Sequence, residues 1–145
     1  MQIETTSLLD VLIITPPRFG DRRGFFCESW NVAALEAAGV YLPAFVQDNH
    51  SLSREIGTVR GLHYQRPPHA QGKLVRCGRG AIFDVAVDVR KGSPTYGQSF
   101  GLELSYENGK QLWVPAGFLH GFMTLQADSE IIYKCICYIL KFLAL

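Results

Sequence analysis

The chain has 145 residues, 48% apolar and 19% charged, with 14 Lys and Arg against 13 Asp and Glu for a net charge of +1. A chain of this size and composition buries its own core, which excludes a disordered chain. Near-neutral charge also excludes a global field that pulls a protein onto nucleic acid or an acidic membrane, so neither is expected as a partner.

From the N-terminus, Met1-Gln2-Ile3-Glu4 lacks the basic region and apolar run of a signal peptide. Val11-Leu12-Ile13-Ile14 reads as a strand stopped by Pro16-Pro17, and Gly20 to Gly24 reads as a turn into Phe25 to Trp30. Asn31 is a natural N-cap, Val32 to Ala38 is rich in Ala, Leu and Glu, and Gly39 stands where a helix would end. Further strands are expected at 44–50, 58–65, 72–77, 81–89, 98–105, 111–114, 119–126 and 130–138, separated by Gly, Pro, Asn and Ser. That spacing predicts an all-β sandwich or barrel with one short helix near residues 31–38, in a single domain over 1–145. In Phe83 to Val89, Phe83, Val85, Val87 and Val89 share one face, while Asp84, Ala86 and Asp88 share the other. By default Asp84 and Asp88 read as solvated; in a barrel they would line a pocket. The last apolar stretch, Cys135 to Leu145, is shorter than the ~20 residues of a membrane span and contains Lys141. Cys27, Cys77, Cys135 and Cys137 show no zinc spacing and read as buried free thiols. The chain reads as a soluble cytoplasmic protein.

Chemistry concentrates around Arg60-Gly61-Leu62-His63-Tyr64-Gln65. A lone strand histidine is ordinarily a hydrogen-bonded core residue. Here Lys73 opens the next strand, Tyr133 lies in the last, and His120 sits among glycine and aromatics. A base near neutral pKa, an ammonium and a phenol suit proton removal beside a carbonyl, stabilisation of the enolate oxygen, and reprotonation from the other side. Arginines suit phosphate; Arg18, Arg22, Arg66 and Arg90 read as surface residues. In a regular strand Arg60 and His63 face opposite ways, so both serve one pocket only if Gly61 marks a bulge or the pocket lies at a strand end. His63, His69 and His120 with Asp84 or Glu103 lack metal-ligand spacing, so no metal and no cofactor is expected.

Seven segments, taken together and in order, resemble the dTDP-4-dehydrorhamnose 3,5-epimerase family. They are Gly20 to Phe26, Val46 to Ser51, Arg60 to Gln65, Gln71 to Arg76, Asp84 to Arg90, Gly92 to Gly97 and Pro115 to Phe122. The resemblance implies a metal-free, cupin-type jelly-roll barrel, a homodimer, and epimerisation of dTDP-4-dehydro-6-deoxyglucose at C3 and C5 in dTDP-rhamnose synthesis. It implies His63 as the base, Tyr133 as the acid on the opposite face, and Lys73 and His120 near the keto oxygen. It assigns Arg23, Glu28, Gln47, Asp48, Asn49 and Arg60 to nucleotide or sugar, with Arg23 reaching the partner's site. By residue type alone, Phe19, Phe25, Phe26 and Tyr138 are the candidates for stacking on the base, although most aromatics in such a chain are core. After Lys134 the chain departs from the family pattern, and the family's acidic partner for the base histidine lies in the segment it lacks. Asp84 is the candidate substitute. The alternatives are a single-carbon epimerase, a homologue that binds nucleotide-sugar without turnover, and a metal-dependent cupin.

Overall fold

Short apolar runs broken by glycine and proline become strands in the computed structural model, which describes residues 1–140. The strands are β1 (Gln2–Thr5), β2 (Leu12–Thr15), β3 (Arg18–Asp21), β4 (Gly24–Cys27), β5 (Gln47–Ser53), β6 (Val59–His63), β7 (Lys73–Arg79), β8 (Ala81–Asp88), β9 (Ser99–Ser105), β10 (Gln111–Val114), β11 (Phe118–Thr124) and β12 (Ser129–Cys135). The helix α1 (Val32–Ala37) follows β4. A six-stranded sheet in the order β1-β2-β10-β7-β12-β5 faces a four-stranded sheet in the order β6-β11-β8-β9. All their pairings are antiparallel. This is the expected all-β jelly-roll barrel with one short helix.

Two strands escaped the sequence reading. β1 is a four-residue edge strand with a single apolar side chain, too short for alternation to register. β3 is exposed throughout and exists because it pairs with β4 across the Arg22-Arg23 turn. Asp21 closes that turn by accepting the Arg23 backbone N–H at 2.8 Å. The helix forms as expected: the Asn31 side chain accepts the Ala34 N–H at 3.0 Å, and Gly39 leaves the helix at φ 82°.

Alternation along the large sheet sends Val75, Leu112, Val114 and Ile131 into the barrel, against Ile82, Ala86, Leu104, Phe118 and Phe122 from the small sheet and its loops. On the outer side, Leu35 packs with Ile14, Leu74 and Trp113, and Trp30 and Phe45 complete that layer with rings 4.8 Å apart. The helix therefore shields one sheet face and leaves the barrel mouth free.

β8 corrects the reading of Asp84 and Asp88 as solvated. Both are fully buried, together with Ala86, whereas Phe83 is 41% exposed. Both carboxylates are satisfied inside. Asp88 accepts from Arg90 Nε and Nη2 at 3.0 Å and from the Ser93 and Thr95 hydroxyls at 2.6 Å. Arg90 is accordingly no surface residue: it also bridges Asp10 at 3.0 Å and stacks 4.5 Å from the Phe118 ring. The hydrogen bonds from Arg90 hold the Asp88 carboxyl well below the usual carboxylate range, against the opposing effect of burial.

Arg90→Met strands a buried carboxylate and is expected to cost about 3 kcal/mol, read as a lower urea midpoint. The depressed Asp88 carboxyl contributes stability that is fully present above its unfolded value of about 3.9 and is lost as pH falls below it. Acid unfolding below about pH 4 is therefore expected to be shallower in Asp88→Asn than in the parent chain.

Candidate functional site

A cavity of about 210 Å³ opens between the two sheets. The small sheet contributes Arg60 and His63 from β6 and His120 from β11; the large sheet contributes Lys73 from β7 and Tyr133 from β12. Five of the expected residues thus meet in one space, with His63 and Tyr133 on facing walls.

The bulge that the spacing of Arg60 and His63 required is present. On β11, His120 is opposite His63 and Phe122 is opposite Arg60, so Gly61 and Leu62 together face Gly121. Gly61 has φ 116°, and a Cβ there would lie 2.8 Å from the Gly121 Cα. A Cβ on Gly121 would lie 2.7 Å from the Arg60 carbonyl oxygen. This close backbone approach, open only to glycine, turns both Arg60 and His63 into the cavity.

Burial, and then the field of Lys73, His120 and Arg60, holds the His63 pKa below its ordinary value, so the ring is neutral and basic at pH 7. Burial pushes the Tyr133 phenol up, keeping it protonated. Burial pushes Lys73 down, while Cys135 and the Asp84 carboxylate act the other way. The Lys73 ammonium sits 5.5 Å from the centre of the Tyr133 ring. The Cys135 thiol, beside Asn49, is raised to about 11 by burial and is inert at neutral pH. The cavity therefore offers a neutral imidazole, a protonated phenol and the amino group of Lys73.

Asp84 does not support His63. Its two oxygens lie 2.9 and 3.1 Å from His120 Nε2. The topology explains this: β8 is the direct neighbour of β11, and β6 lies beyond it. Among the described residues no carboxylate hydrogen-bonds His63. Nor do His63, His69, His120, Asp84 and Glu103 gather as a metal-ligand set.

The other binding candidates lie outside the cavity wall of the single chain. Arg23 pairs with Asp21 at 2.7 Å on the exposed hairpin, and Glu28 accepts from Asn31 Nδ2 at 2.6 Å. Asp48 points to the outer sheet face, where it holds Lys134 at 3.0 Å. Gln47 donates to Asn49 Oδ1 at 2.9 Å at the barrel rim. Tyr138 is 65% exposed.

Sequence reasoning missed the polar rim. Gln71 Nε2 donates to the Cys137 carbonyl at 2.6 Å, and Gln47 Oε1 accepts from the Ile139 N–H at 3.1 Å. Gln65 accepts from the Leu140 N–H at 3.2 Å and donates to the Tyr138 carbonyl at 3.3 Å. Three side-chain amides thus hold residues 137–140 as a strap over the mouth, with Ile139 against the cavity. The available signal was Gln71, a polar residue just ahead of β7, and Gln65, which closes the His63 segment. Cys77 and Cys135 are buried free thiols as expected, while Cys27 and Cys137 are only half-buried. Residues 141–145, the rest of the divergent tail, lie outside the described residues. No described helix is long and apolar enough to cross a membrane.

Comparison with known proteins places this geometry. The family model for dTDP-4-dehydrorhamnose 3,5-epimerase matches residues 5–140. The enzyme of that name from Sinorhizobium fredii is 59% identical over 138 residues, covering 92% of this chain and 68% of the relative. The dTDP-4-dehydrorhamnose 3,5-epimerase of Bacillus anthracis, solved with TDP and PPi bound, superposes with a TM-score of 0.93 at 48% identity, covering 98% of this chain and 81% of that one. A dTDP-6-deoxy-D-glucose-3,5-epimerase from Legionella pneumophila, in complex with dTDP-4-keto-L-rhamnose, gives a TM-score of 0.90 at 47% identity over 96% of this chain and 73% of that one. A cupin-type barrel with an imidazole and a phenol on facing walls, matched along nearly its whole described length, belongs to the dTDP-4-dehydrorhamnose 3,5-epimerase family.

Proposed function

We propose that the chain epimerises dTDP-4-dehydro-6-deoxyglucose at C3 and C5, giving dTDP-4-dehydrorhamnose for dTDP-rhamnose synthesis. The observation that carries this reading is the placement of His63 and Tyr133 on opposite sheets of one cavity, with Lys73 reaching into it. His63 takes the proton from the carbon next to the C4 ketone. The electron pair left behind moves onto the ketone oxygen, where the Lys73 ammonium stabilises the enolate, with His120 against the sugar beside it. Tyr133 then gives a proton to the same carbon from the other face, and the carbonyl re-forms. The substrate changes only in configuration, and the cycle closes when His63 releases its proton to solvent and Tyr133 regains one from it. No step calls for a cofactor.

Arg60 is the cation placed in this chain to meet the nucleotide part of the substrate. Gln47, Asn49 and Tyr138 stand at the rim. Arg23, Glu28 and Asp48 serve the substrate from outside the cavity, and Arg23 does so from a second copy of the chain. Support for a homodimer comes from the β3–β4 hairpin, which presents Phe19 at 63% and Phe26 at 65% exposure beside Arg23. The four free cysteines fit the reducing cytoplasm.

The test is incubation with dTDP-4-dehydro-6-deoxyglucose in heavy water, followed by proton NMR. Deuterium is expected at both C3 and C5. Exchange at one carbon only would make the chain a single-carbon epimerase. A folded protein that dTDP stabilises against heat, yet that exchanges neither carbon, would be a binder without turnover.

A further inference from the structure

Two histidines line the cavity, and the structure gives only one of them a carboxylate. Asp84 is fully buried, and both its oxygens converge on His120 Nε2. Its neighbours across the sheet offer no competing donor: β9 places Leu102 opposite Asp84 and Phe100 opposite Ala86. An ionised carboxylate only accepts, so the nitrogen it meets must carry a proton. Nε2 is therefore the protonated atom, and Nδ1 is the atom left for a ligand. Among the described residues the Thr15 hydroxyl is the only buried side-chain polar atom without a partner. Nδ1, which has no protein partner among the described residues, is thus not sealed away by them but open to the cavity that His120 lines.

We infer that Asp84 is a positioning residue for His120: it locks the ring as the Nε2–H form and presents Nδ1 to the sugar. This inference rests on the epimerase reading and extends it from the His63–Tyr133 pair to His120, whose unprotonated Nδ1 accepts a hydrogen bond from a sugar hydroxyl. The lock is built into the strands. Asp84 and Ala86 share the inward face of β8, and His120 is the register partner of Ala86 on β11. One diagonal step across the pleat joins carboxylate and ring, and neither side chain has room to turn away because both are buried.

The informative substitution is Asp84→Asn, which keeps the shape and changes the hydrogen-bond polarity. An amide can turn its NH₂ to Nε2, making that nitrogen the acceptor and sending the ring proton to Nδ1. The wrong nitrogen then meets the substrate, as when the buried acid of a catalytic triad becomes an amide. In the Asn variant kcat is expected to fall on the order of a hundredfold with KM changed less than threefold. In parallel, the nitrogen-15 spectrum of ring-labelled protein should show His120 as the Nε2–H form in the parent chain and as the Nδ1–H form in the variant. A purely structural Asp84 would lower thermal stability without moving the tautomer.

The inference is overturned if the parent ring carries its proton on Nδ1 alone, or if a folded Asp84→Asn variant keeps kcat within twofold. The parent spectrum decides the matter even if the variant does not fold. It is also independent of turnover, so absence of exchange at C3 and C5 would reject the epimerase reading without touching the tautomer result.

Discussion

Replacing His63 with alanine is expected to cut deuterium exchange at both C3 and C5 by about 10²–10⁴-fold, the loss expected for removal of a general base. Arg60, on the same strand, is cationic and cannot take over as base. The fold should survive, because His63 is only half-buried and makes no side-chain hydrogen bond among the described residues. In the parent chain, kcat/KM should fall on the acid side with a midpoint below 6.5. Burial and the neighbouring cations disfavour the protonated ring, so the active neutral form persists to lower pH than in a free histidine. A midpoint above 6.5 would contradict that ordering of effects.

The second large effect is expected for Lys73→Met, which keeps the length of the stem and removes the charge. A preorganised donor at a developing oxyanion contributes about 10²–10³-fold in kcat, and a loss in that range is expected here. A second consequence separates the electrostatic role from mere packing. Lys73 lowers the His63 pKa, so its removal eases protonation of His63 and moves the acid limb of kcat/KM to higher pH. Unchanged kcat together with an unmoved limb would remove Lys73 from the mechanism. Packing alone predicts neither change, since the methionine still covers the Tyr133 ring.

The barrel was legible because its strands are short, apolar and separated by glycine and proline; the chemistry was legible because imidazole, ammonium and phenol are rare company on three strands. Some things were not legible, for physical reasons. The inward face of β8 carries aspartates, and a pattern reading sends charge outward unless its partners are known. The partner of Asp84 is 36 residues away in sequence, so only the pairing of β8 with β11 reveals it. Arg90 looked like a surface cation because neither the inward turn of Asp88 nor the approach of Asp10, 80 residues away, shows in the sequence. The strap was hidden for a different reason. Its three fasteners are glutamines, a residue type without a charge to announce it, and what they hold is backbone rather than side chain. Asp48 was placed by resemblance alone, and strand alternation turned it to the outer face, to Lys134.

The bulge in β6 also makes the site unequally tolerant of changes in chain length. From Arg60 to His63 the strand carries one residue more than β11 does from Phe122 to His120. Strict alternation places residues two apart on one face and residues three apart on opposite faces. Deleting Leu62 would leave Arg60 and His63 two apart, both still inward, on a strand straightened opposite Gly121. Inserting one residue elsewhere between Arg60 and His63, with the bulge kept, would turn one of the pair outward, although every reactive side chain would still be encoded. A single lost codon and a single gained codon, equal as mutations, are thus opposite events for this cavity.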